Sequence, residues 1–274
     1  AEQRLKGSCP FVYAFDGKEV RFVTDFLWRS PLGLRINAQD TAGVGQTEDR
    51  IKIRGDQLAP RDGAYDVRVT AELWETHYWD HISLMVVDHP EDVEIYVDER
   101  FARTPPDLGV RATTRPVPVA SARDDQGRDV TDLVRARDGK RLDGFGRGFY
   151  QGVTRDHWVE VEAGDDVPKD GPLVLVAEGW IHPTDSSINV ALGQGSHEPP
   201  RGLSLEAATS EGGWDVVRDD LGFPAGKDKT ILVPLDGVFR EGAPRRLRLR
   251  TNLEIYWDAL AFARPVDPSV LEAK

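Results

Sequence analysis

Cysteine is nearly absent from this chain, and that limits how the fold can be held together. The 274 residues include one cysteine, Cys9, so no disulfide can form within the chain. A nucleophilic cysteine would need a histidine that only the fold can bring to it. We therefore interpret Cys9 as a small core residue.

Long apolar runs and an excess of basic residues are also missing. No run approaches the roughly 20 apolar residues that a membrane-spanning helix needs. The 35 Lys and Arg residues are outnumbered by 47 Asp and Glu residues, giving a formal net charge of -12. Binding to phosphate-rich surfaces requires a basic face. We therefore expect no nucleic-acid partner and no membrane insertion. The chain has no signal peptide and begins at Ala1 instead of Met, which favours a mature or excised piece.

Helical periodicity is scarce, whereas short apolar runs with period-2 alternation recur between turn signals. Residues 11–15 and 20–24 flank an Asp-Gly pair, a strong hairpin signal because glycine supplies a positive φ. Leu247 and Leu249 alternate with arginines, so one face of that strand should meet the core and the other water. The sequence predicts an all-β fold of two antiparallel, jelly-roll-like β-sandwich units.

The distribution of turns and prolines predicts where these units begin and end. Residues 1–100 form the N-terminal β domain, in which residues 81–87 alternate on both parities and predict a central strand. Residues 101–148 are rich in Pro and Arg and predict an extended connector with a short helix capped by Asp129 or Thr131. Residues 149–266 form the C-terminal β-sandwich, and residues 267–274 a tail.

Residues 171–195 contain the most distinctive stretch of the second unit. Residues 173–177 are an unbroken apolar run, typical of a strand covered on both faces. A polar loop containing Pro183 follows, and then Ile188, Val190 and Leu192 recur at every second position, which predicts another strand. Because function often lies on loops held by rigid strands, we expect a ligand near this loop.

Aromatic and polar residues near this loop and near the end of the chain form a candidate ligand site. A sugar ring is commonly held by an aromatic platform with polar neighbours, although aromatics in a sandwich also serve as core anchors. The candidate ligand-binding residues are Trp180, Asp185, Arg250, Asn252, Tyr256, Trp257 and Asp258.

Three oxygen-bearing side chains in the same loop form a candidate metal site. Asp185, Ser187 and Asn189 lie at i, i+2 and i+4, a spacing that suits a hard cation such as calcium. A single carboxylate is few for calcium, and the alternative is a turn in which Asp185 accepts hydrogen bonds from nearby amides. Calcium is thus the one cofactor that the sequence allows, and no catalytic residue can be assigned.

Three groups of segments resemble a known family. They are CPFVYAFDG at residues 9–17 with FVTD at 22–25, LMVVDHP at 84–90, and the set PTDSSINV at 183–190, GFPAGK at 222–227 and RTNLEIYWD at 250–258. Together they resemble the region C-terminal to the repeats in large bacterial secreted proteins of the FG-GAP, ASPIC/UnbV and tetratricopeptide class. The resemblance spans nearly the whole chain, without propeller or helical repeats. It implies an extracytoplasmic module, periplasmic or secreted, and no reaction.

Three functions are compatible with these observations. The first is a non-catalytic extracytoplasmic β-sandwich module, structural or ligand-binding, whose partners would be glycans or other domains of a longer secreted chain. The second is a calcium-dependent carbohydrate-binding domain. The third is a hydrolase that uses carboxylates such as Asp185 and Asp258 with a histidine, which would place two carboxylates across an open cleft.

Overall fold

The computed structural model describes residues 10–26, 34–35, 41–42, 48–71, 79, 81–102, 104 and 106–274. Cys9 lies outside these residues, so its interpretation as a core residue stays a prediction. The described residues are mostly antiparallel strands with two short helices, which confirms the all-β class. No helix in the described ranges combines the length and the apolar character needed to cross a membrane.

The N-terminal part contains short strands. Their bounds are β1 (Phe11–Phe15), β2 (Val20–Asp25), β3 (Leu34–Arg35), β4 (Thr41–Ala42), β5 (Pro60–Arg61), β6 (Ala64–Tyr65), β7 (Val67–Thr70), β8 (Val87–Asp88), β9 (Val93–Tyr96) and β10 (Arg100–Phe101), with a 3-10 turn at Gly55–Gln57. The predicted hairpin is confirmed, because β1 pairs with β2, and β7 adds to its other edge in a three-stranded sheet.

The remainder of the chain contains the longest strands and both helices. The bounds are β11 (Arg111–Thr114), β12 (Val117–Pro118), β13 (Ser121–Asp124), α1 (Thr131–Val134), β14 (Val153–Glu162), β15 (Val174–Ile181), α2 (Ser186–Gln194), β16 (Ser204–Ala208), β17 (Trp214–Arg218), β18 (Phe223–Pro224), β19 (Lys229–Pro234), β20 (Arg246–Leu253), β21 (Ile255–Ala263), β22 (Pro265–Val266) and β23 (Glu272–Ala273), with a 3-10 turn at Pro268–Val270.

Two sheets form a β-sandwich in the C-terminal part. One has the strand order β12-β21-β15-β19, and the other β13-β14-β20-β16-β17. Inward side chains of both sheets, such as Leu175 and Phe262 on one and Leu247 and Leu249 on the other, belong to a single buried cluster. The predicted parity of Leu247 and Leu249 is therefore confirmed. A second sandwich in the N-terminal part stays a prediction, as do the domain boundaries.

The strand β15 is covered on both faces, as its unbroken apolar run predicts. Leu175 and Ala177 face the sandwich core. Val174 and Val176 face the other way and pack in a smaller buried cluster with Tyr96 of β9. A strand with apolar neighbours on both sides cannot show an alternating pattern, which explains its continuous hydrophobicity.

Buried polar contacts fasten the end of β2 to the loop before β19. The Asp25 Oδ1 accepts a hydrogen bond of 2.8 Å from the Lys227 amide, and the Thr24 hydroxyl donates at 2.8 Å to the Lys227 carbonyl. Gly226, with φ of +126°, allows this approach, because a Cβ there would collide with the Asp25 carboxylate. The N-terminal hairpin is thereby tied to the sandwich.

The predicted strand at Ile188, Val190 and Leu192 is wrong, because these residues lie in the helix α2. Asp185 precedes the helix and its Oδ1 accepts a hydrogen bond of 2.8 Å from the Ile188 amide, so it is the N-cap. The spacing of Ile188 and Leu192 is also the i, i+4 spacing of one helix face, and only Leu192 of the three is buried. The capping aspartate decides between the two periodicities.

The prediction of a central strand at residues 81–87 is also wrong. Residues 81–86 lie outside the strands and are exposed, with Ile82 62% accessible. Pairing begins only where β8 meets β23, and the Val86 amide donates at 3.1 Å to the Lys274 carbonyl. The alternation of apolar residues indicates which side chains could be buried. Their burial also requires a neighbouring strand, which has to come from elsewhere in the fold.

The segment predicted as a connector contributes strands to the sandwich. The strand β12 pairs with β21, and β13 pairs with β14. The predicted short helix is confirmed as α1, but neither predicted cap is correct, because Val130 is the N-cap and makes no side-chain capping bond. Asp129 instead accepts hydrogen bonds from the amide and the hydroxyl of Thr131. Pro118 lies in the edge strand β12 and Pro116 directly before it, where a missing amide donor is tolerated.

The outer face of the five-stranded sheet carries alternating charges and two tryptophans. The Arg248 guanidinium carbon lies 3.8 Å from the Trp214 ring centroid and 4.8 Å from that of Trp158. Its Nη2 also pairs with Glu160 at 3.0 Å. We call Trp158, Trp214, Arg246, Arg248 and Arg250 the Arg–Trp ladder. Arg248 is therefore a packed residue, although the alternation of the strand places it outside the core.

We expect Leu249→Ala to lower the free energy of unfolding by about 2–5 kcal/mol, because it removes a fully buried side chain from the core. Arg248→Ala should cost about 1–2 kcal/mol through lost ring and carboxylate contacts, more than the ~0.5 kcal/mol of an ordinary surface change. Urea melts of both variants measure this.

Arg123→Ala is the matched control for Arg248→Ala. Arg123 lies on β13 of the same sheet and is exposed, and its side chain forms no hydrogen bond or ion pair with the part of the chain that the structure describes. A loss of stability in Arg248→Ala no greater than in Arg123→Ala would show that the ladder does not stabilise the sheet.

Candidate functional site

Glu254 is the residue between β20 and β21, and it organises one end of the sandwich. Its side chain is 3% exposed. Its Oε2 accepts a hydrogen bond of 3.0 Å from the His182 Nδ1 and one of 3.2 Å from the Gly152 amide. Its Oε1 accepts from the Tyr256 hydroxyl and lies 3.0 Å from the Arg147 Nε. One carboxylate thus joins three separate segments of the chain.

This network fixes the protonation of its members. Burial alone raises the pKa of Glu254, but hydrogen bonds from His182 and Tyr256 outweigh burial and lower the pKa to about 2. Burial and the bond to Glu254 raise the pKa of Tyr256 to about 12. At neutral pH the carboxylate is therefore ionised and the phenol protonated. An ionised carboxylate only accepts, so the His182 Nδ1 carries the proton.

Aromatic rings pack beside this network. Trp180 of β15 stacks on Tyr256 of β21 with 4.3 Å between centroids and an interplanar angle of 8°. Phe145 meets Tyr256 edge-on at 5.1 Å and stacks on His157 at 4.8 Å. The Trp180–Tyr256 contact follows from the antiparallel register, which places the two residues opposite each other.

A tight hairpin at residues 147–154 covers one side of the network. The Gly148 amide donates to the Val153 carbonyl at 2.9 Å, and the Gln151 Nε2 donates to the Pro183 carbonyl at 2.9 Å. Gly152, with φ of +82°, lets the hairpin approach the next loop, because a Cβ there would lie 2.6 Å from the Thr184 amide nitrogen. The hairpin tip is thus fixed against the loop at residues 182–185.

A third loop, residues 195–201, is held by the residues just before Glu254. The Asn252 Oδ1 accepts a hydrogen bond of 2.7 Å from the Arg201 amide, and its Nδ2 donates at 2.9 Å to the Pro199 carbonyl. The Thr251 hydroxyl donates to the Arg201 carbonyl at 2.8 Å. Residues 251–254 therefore position all three loops, and we call this end of the sandwich the loop-end site.

Exposed rings form the rim of the loop-end site. Phe149, at the hairpin tip, is 88% exposed and meets Tyr150 edge-on with 5.0 Å between centroids. Tyr150 in turn meets His197 of the third loop at 5.1 Å. The Phe149 ring therefore gains little from the core, and its ring neighbours Tyr150 and His197 belong to the same rim.

The structure separates the predicted ligand residues into different environments. Trp180, Asn252 and Tyr256 lie in the loop-end site. Trp257 points to the opposite side of β21 from Tyr256 and is buried in the core. Asp258 is buried, which raises its pKa, and its Oδ1 accepts hydrogen bonds from the amides of Asp138 and Gly139. These two residues serve the fold.

Arg250 also lies away from the other predicted ligand residues. It belongs to the Arg–Trp ladder and pairs with Asp156 at 2.6 Å and with Glu206 at 3.1 Å. A groove of about 310 Å³ on this outer face is lined by Ser121, Arg123, Glu160, Val161, Glu162 and Arg246. Within this groove Arg246 pairs with Glu160, and the Glu162 carboxylate accepts a hydrogen bond from the Ser121 hydroxyl, so these contacts stabilise the sheet.

The candidate calcium ligands take part in the start of α2. The Asp185 Oδ1 accepts hydrogen bonds from the Ser187 hydroxyl at 2.7 Å and from the Ile188 amide. Asn189 is exposed, and its backbone amide donates to the Asp185 carbonyl in the first turn of the helix. Within the described ranges, no three His, Cys, Asp or Glu side chains are grouped closely enough to hold a metal ion. This geometry favours the turn alternative for Asp185.

The carboxylates named for a hydrolase do not share a cleft. Asp185 caps α2, whereas Asp258 bonds to the turn at residues 138–139. Glu254 is ionised down to low pH and is occupied by four donors, so it is unsuited to donate a proton. The His182 Nε2 is buried and has no hydrogen-bond partner among the described residues. The loop-end site is therefore a cluster of hydrogen-bonded polar groups with aromatic rings beside it.

Sequence reasoning missed four residues of this site: Arg147, Phe149, His182 and Glu254. The sequence indicated only a Gly-rich basic loop at 139–148 and a polar loop from His182. Gly148, directly before Phe149, was a sequence signal for a turn that carries this aromatic ring. The convergence on Glu254 has no local signal apart from Tyr256, because Arg147, Gly152 and His182 come from two distant segments.

Comparison with known proteins adds no further constraint. No family model, no curated protein and no solved structure matches this chain. The resemblance to the secreted repeat proteins therefore stays a prediction.

Proposed function

We propose that this protein is a non-catalytic extracytoplasmic binding module that holds a glycan at the loop-end site. The observation that carries the proposal is the exposed ring of Phe149, placed on a hairpin whose position is fixed by Glu254 and Gln151. Aromatic rings with polar neighbours are suited to the apolar faces and hydroxyl edges of sugars. The extracytoplasmic location rests on the resemblance alone.

Rigidity of the rim supports this proposal. Binding costs less when the contact residues are already ordered. Each of the three loops is fixed by hydrogen bonds. Glu254 holds the hairpin and the loop at residues 182–185, and Thr251 and Asn252 of β20 hold the third loop. Phe145 and Trp257 already supply buried aromatic anchors for the core. Phe149, which is 88% exposed beside Tyr150 and His197, presents its ring to an external partner.

We expect Phe149→Ala to weaken glycan binding about tenfold or more, because a central aromatic commonly carries much of the binding energy. The melting temperature should change little, since the ring is exposed. A glycan array identifies the ligand, and calorimetry on the strongest binder gives the affinity of each variant.

Tyr65→Ala is the control, because Tyr65 is also an exposed aromatic, 51% accessible, on β6 of the N-terminal part. It should leave affinity unchanged. Binding of no glycan by the wild type would overturn the proposal. Repeating the array with a calcium chelator tests the calcium-dependent alternative: binding that is lost with chelation and lost again in Asp185→Ala would place a cation in the site.

A further inference from the structure

We propose that the loop-end site selects glycans that carry carboxylates, such as uronic acids, and that Arg147 is the residue that recognises the carboxylate. The inference rests on the proposed function and specifies the class of its ligand. It depends on how Arg147 is held, on which part of its side chain stays unpaired, and on the charges around it.

Arg147 is fixed on its inner side by buried acceptors. Its Nε lies 3.0 Å from the Glu254 Oε1, and its Nη2 donates to the Tyr256 hydroxyl at 2.6 Å. These bonds raise the pKa of Arg147 above its usual value, first through the Tyr256 hydroxyl and then through Glu254. The guanidinium is thus charged and held in one orientation before any ligand arrives.

The outer side of the same guanidinium has no partner. The Arg147 side chain is 68% exposed, and its Nη1 forms no hydrogen bond or ion pair with any described residue. A planar guanidinium presents paired N–H groups that match a carboxylate. Since the orientation is already fixed, a carboxylate binding there loses little side-chain entropy.

Arg147 and Phe149 lie two residues apart on one hairpin, so a ligand can meet both. The aromatic ring suits the face of a sugar, and the guanidinium suits an acidic substituent on it. Glu254 offsets part of the Arg147 charge, so recognition of a carboxylate rests on the unpaired Nη1 and on the fixed plane of the guanidinium.

Asp143 is a further charged group that acts on Arg147. It is exposed and its charge helps to raise the pKa of Arg147. Because Asp143 repels an approaching carboxylate, Asp143→Asn should strengthen binding of an acidic glycan a few-fold. Arg147→Gln should weaken it, so the two substitutions are expected to act in opposite directions.

The experiment compares an oligogalacturonide with its methyl-esterified form, which keeps the ring faces and removes the charges. We expect the wild type to bind the acid at least about tenfold more tightly than the ester at low salt, the equivalent of about 1.4 kcal/mol. The preference should shrink in 0.5 M NaCl, because salt screens an exposed pair. Arg147→Gln should bind both forms about equally.

The outcomes separate the two proposals. Equal affinity of the wild type for acid and ester, or tighter binding of neutral glycans on the array, would overturn the carboxylate inference and leave the glycan proposal standing. Binding of no glycan would overturn both. The wild-type comparison does not depend on any substituted protein, so instability of Arg147→Gln could not obscure the result.

Discussion

Lys229→Met is expected to lower the free energy of unfolding by about 3–5 kcal/mol at pH 7, because it leaves a buried carboxylate without its cation. The Lys229 side chain is 2% exposed, and its Nζ donates to the Asp25 carbonyl and lies 3.4 Å from the Glu99 Oε1. Glu99 is buried as well, and its Oε2 accepts from the Thr230 amide at 3.0 Å. Denaturant melts of the variant and the wild type measure the loss.

The loss should depend on pH in a defined direction. Burial raises the pKa of Glu99, opposed by the Lys229 charge and assisted by Asp49, and removing the ammonium raises it further. Because the folded pKa of Glu99 is raised, its carboxyl costs no stability below the unfolded pKa of ~4.3, where it is protonated in both states. The loss of folding stability grows as pH rises through the folded pKa. The deficit of Lys229→Met should therefore be smaller at pH 5 than at pH 8.

Two comparisons isolate this pair. Lys227→Met, two residues away, removes only an ammonium 5.6 Å from the rings of Phe11 and Phe22 and should cost about 1 kcal/mol or less. Adding Glu99→Gln to Lys229→Met should recover part of the stability, because the buried Glu99 charge is then removed together with its cation. A double variant as unstable as the sum of the single variants would show that the two side chains are not coupled.

Glu254→Gln is expected to cost about 3 kcal/mol at pH 7, with loss of order in the hairpin at residues 147–154. The amide keeps the shape of the carboxylate but removes the charge that His182, Tyr256 and Arg147 bind. Hydrogen exchange of the Gly152 amide, which bonds to Glu254, reports the hairpin directly.

The acid dependence provides a second measurement of Glu254. A folded pKa of about 2, below the unfolded ~4.3, means that its stabilisation is complete above pH ~4.3 and is lost as pH falls towards 2. The full contribution is about 3 kcal/mol, from roughly 1.4 kcal/mol for each pKa unit. The wild type should lose stability in this window, and Glu254→Gln should lose correspondingly less.

Glu162→Gln is the matched control for Glu254→Gln. Glu162 is exposed, and its carboxylate accepts one hydrogen bond from the described residues, from the Ser121 hydroxyl at 3.0 Å. Its replacement should change stability by about 0.5 kcal/mol or less. If Glu254→Gln proved as mild as this control, the carboxylate would not be the centre of the loop-end site.

Local patterns predicted the elements whose environment is set by near neighbours in sequence. The β1–β2 hairpin, the alternation of Leu247 and Leu249 and the two-sided burial of β15 all follow from periodicity and turn residues. The same reasoning failed at residues 188–192, where Asp185 caps a helix, and at 81–86, which no strand of the described ranges covers. Alternating apolar residues include pairs that are four positions apart, and this spacing also fits one face of a helix.

For the candidate site, the sequence indicated the right loop but grouped the wrong residues. Tyr256, Trp257 and Asp258 are consecutive, and adjacent strand residues point to opposite faces, so one cluster cannot hold them all. Asn252 and Tyr256 do lie in the loop-end site, where Asn252 holds the loop at residues 195–201. Arg147 and Phe149 were missed because their role depends on contacts more than 100 and 40 residues away, respectively, along the chain.

The sequence by itself determined the all-β class, the absence of an internal disulfide and the faces of the longest strands, because these depend on composition and on side-chain alternation. Only the tertiary structure decided that Glu254 joins Arg147, Gly152, His182 and Tyr256, and that Lys229 is buried against Glu99 and Asp25. Such clusters form where distant strands and loops pack together. The desolvation and hydrogen bonding that give each carboxylate its role arise only at that stage.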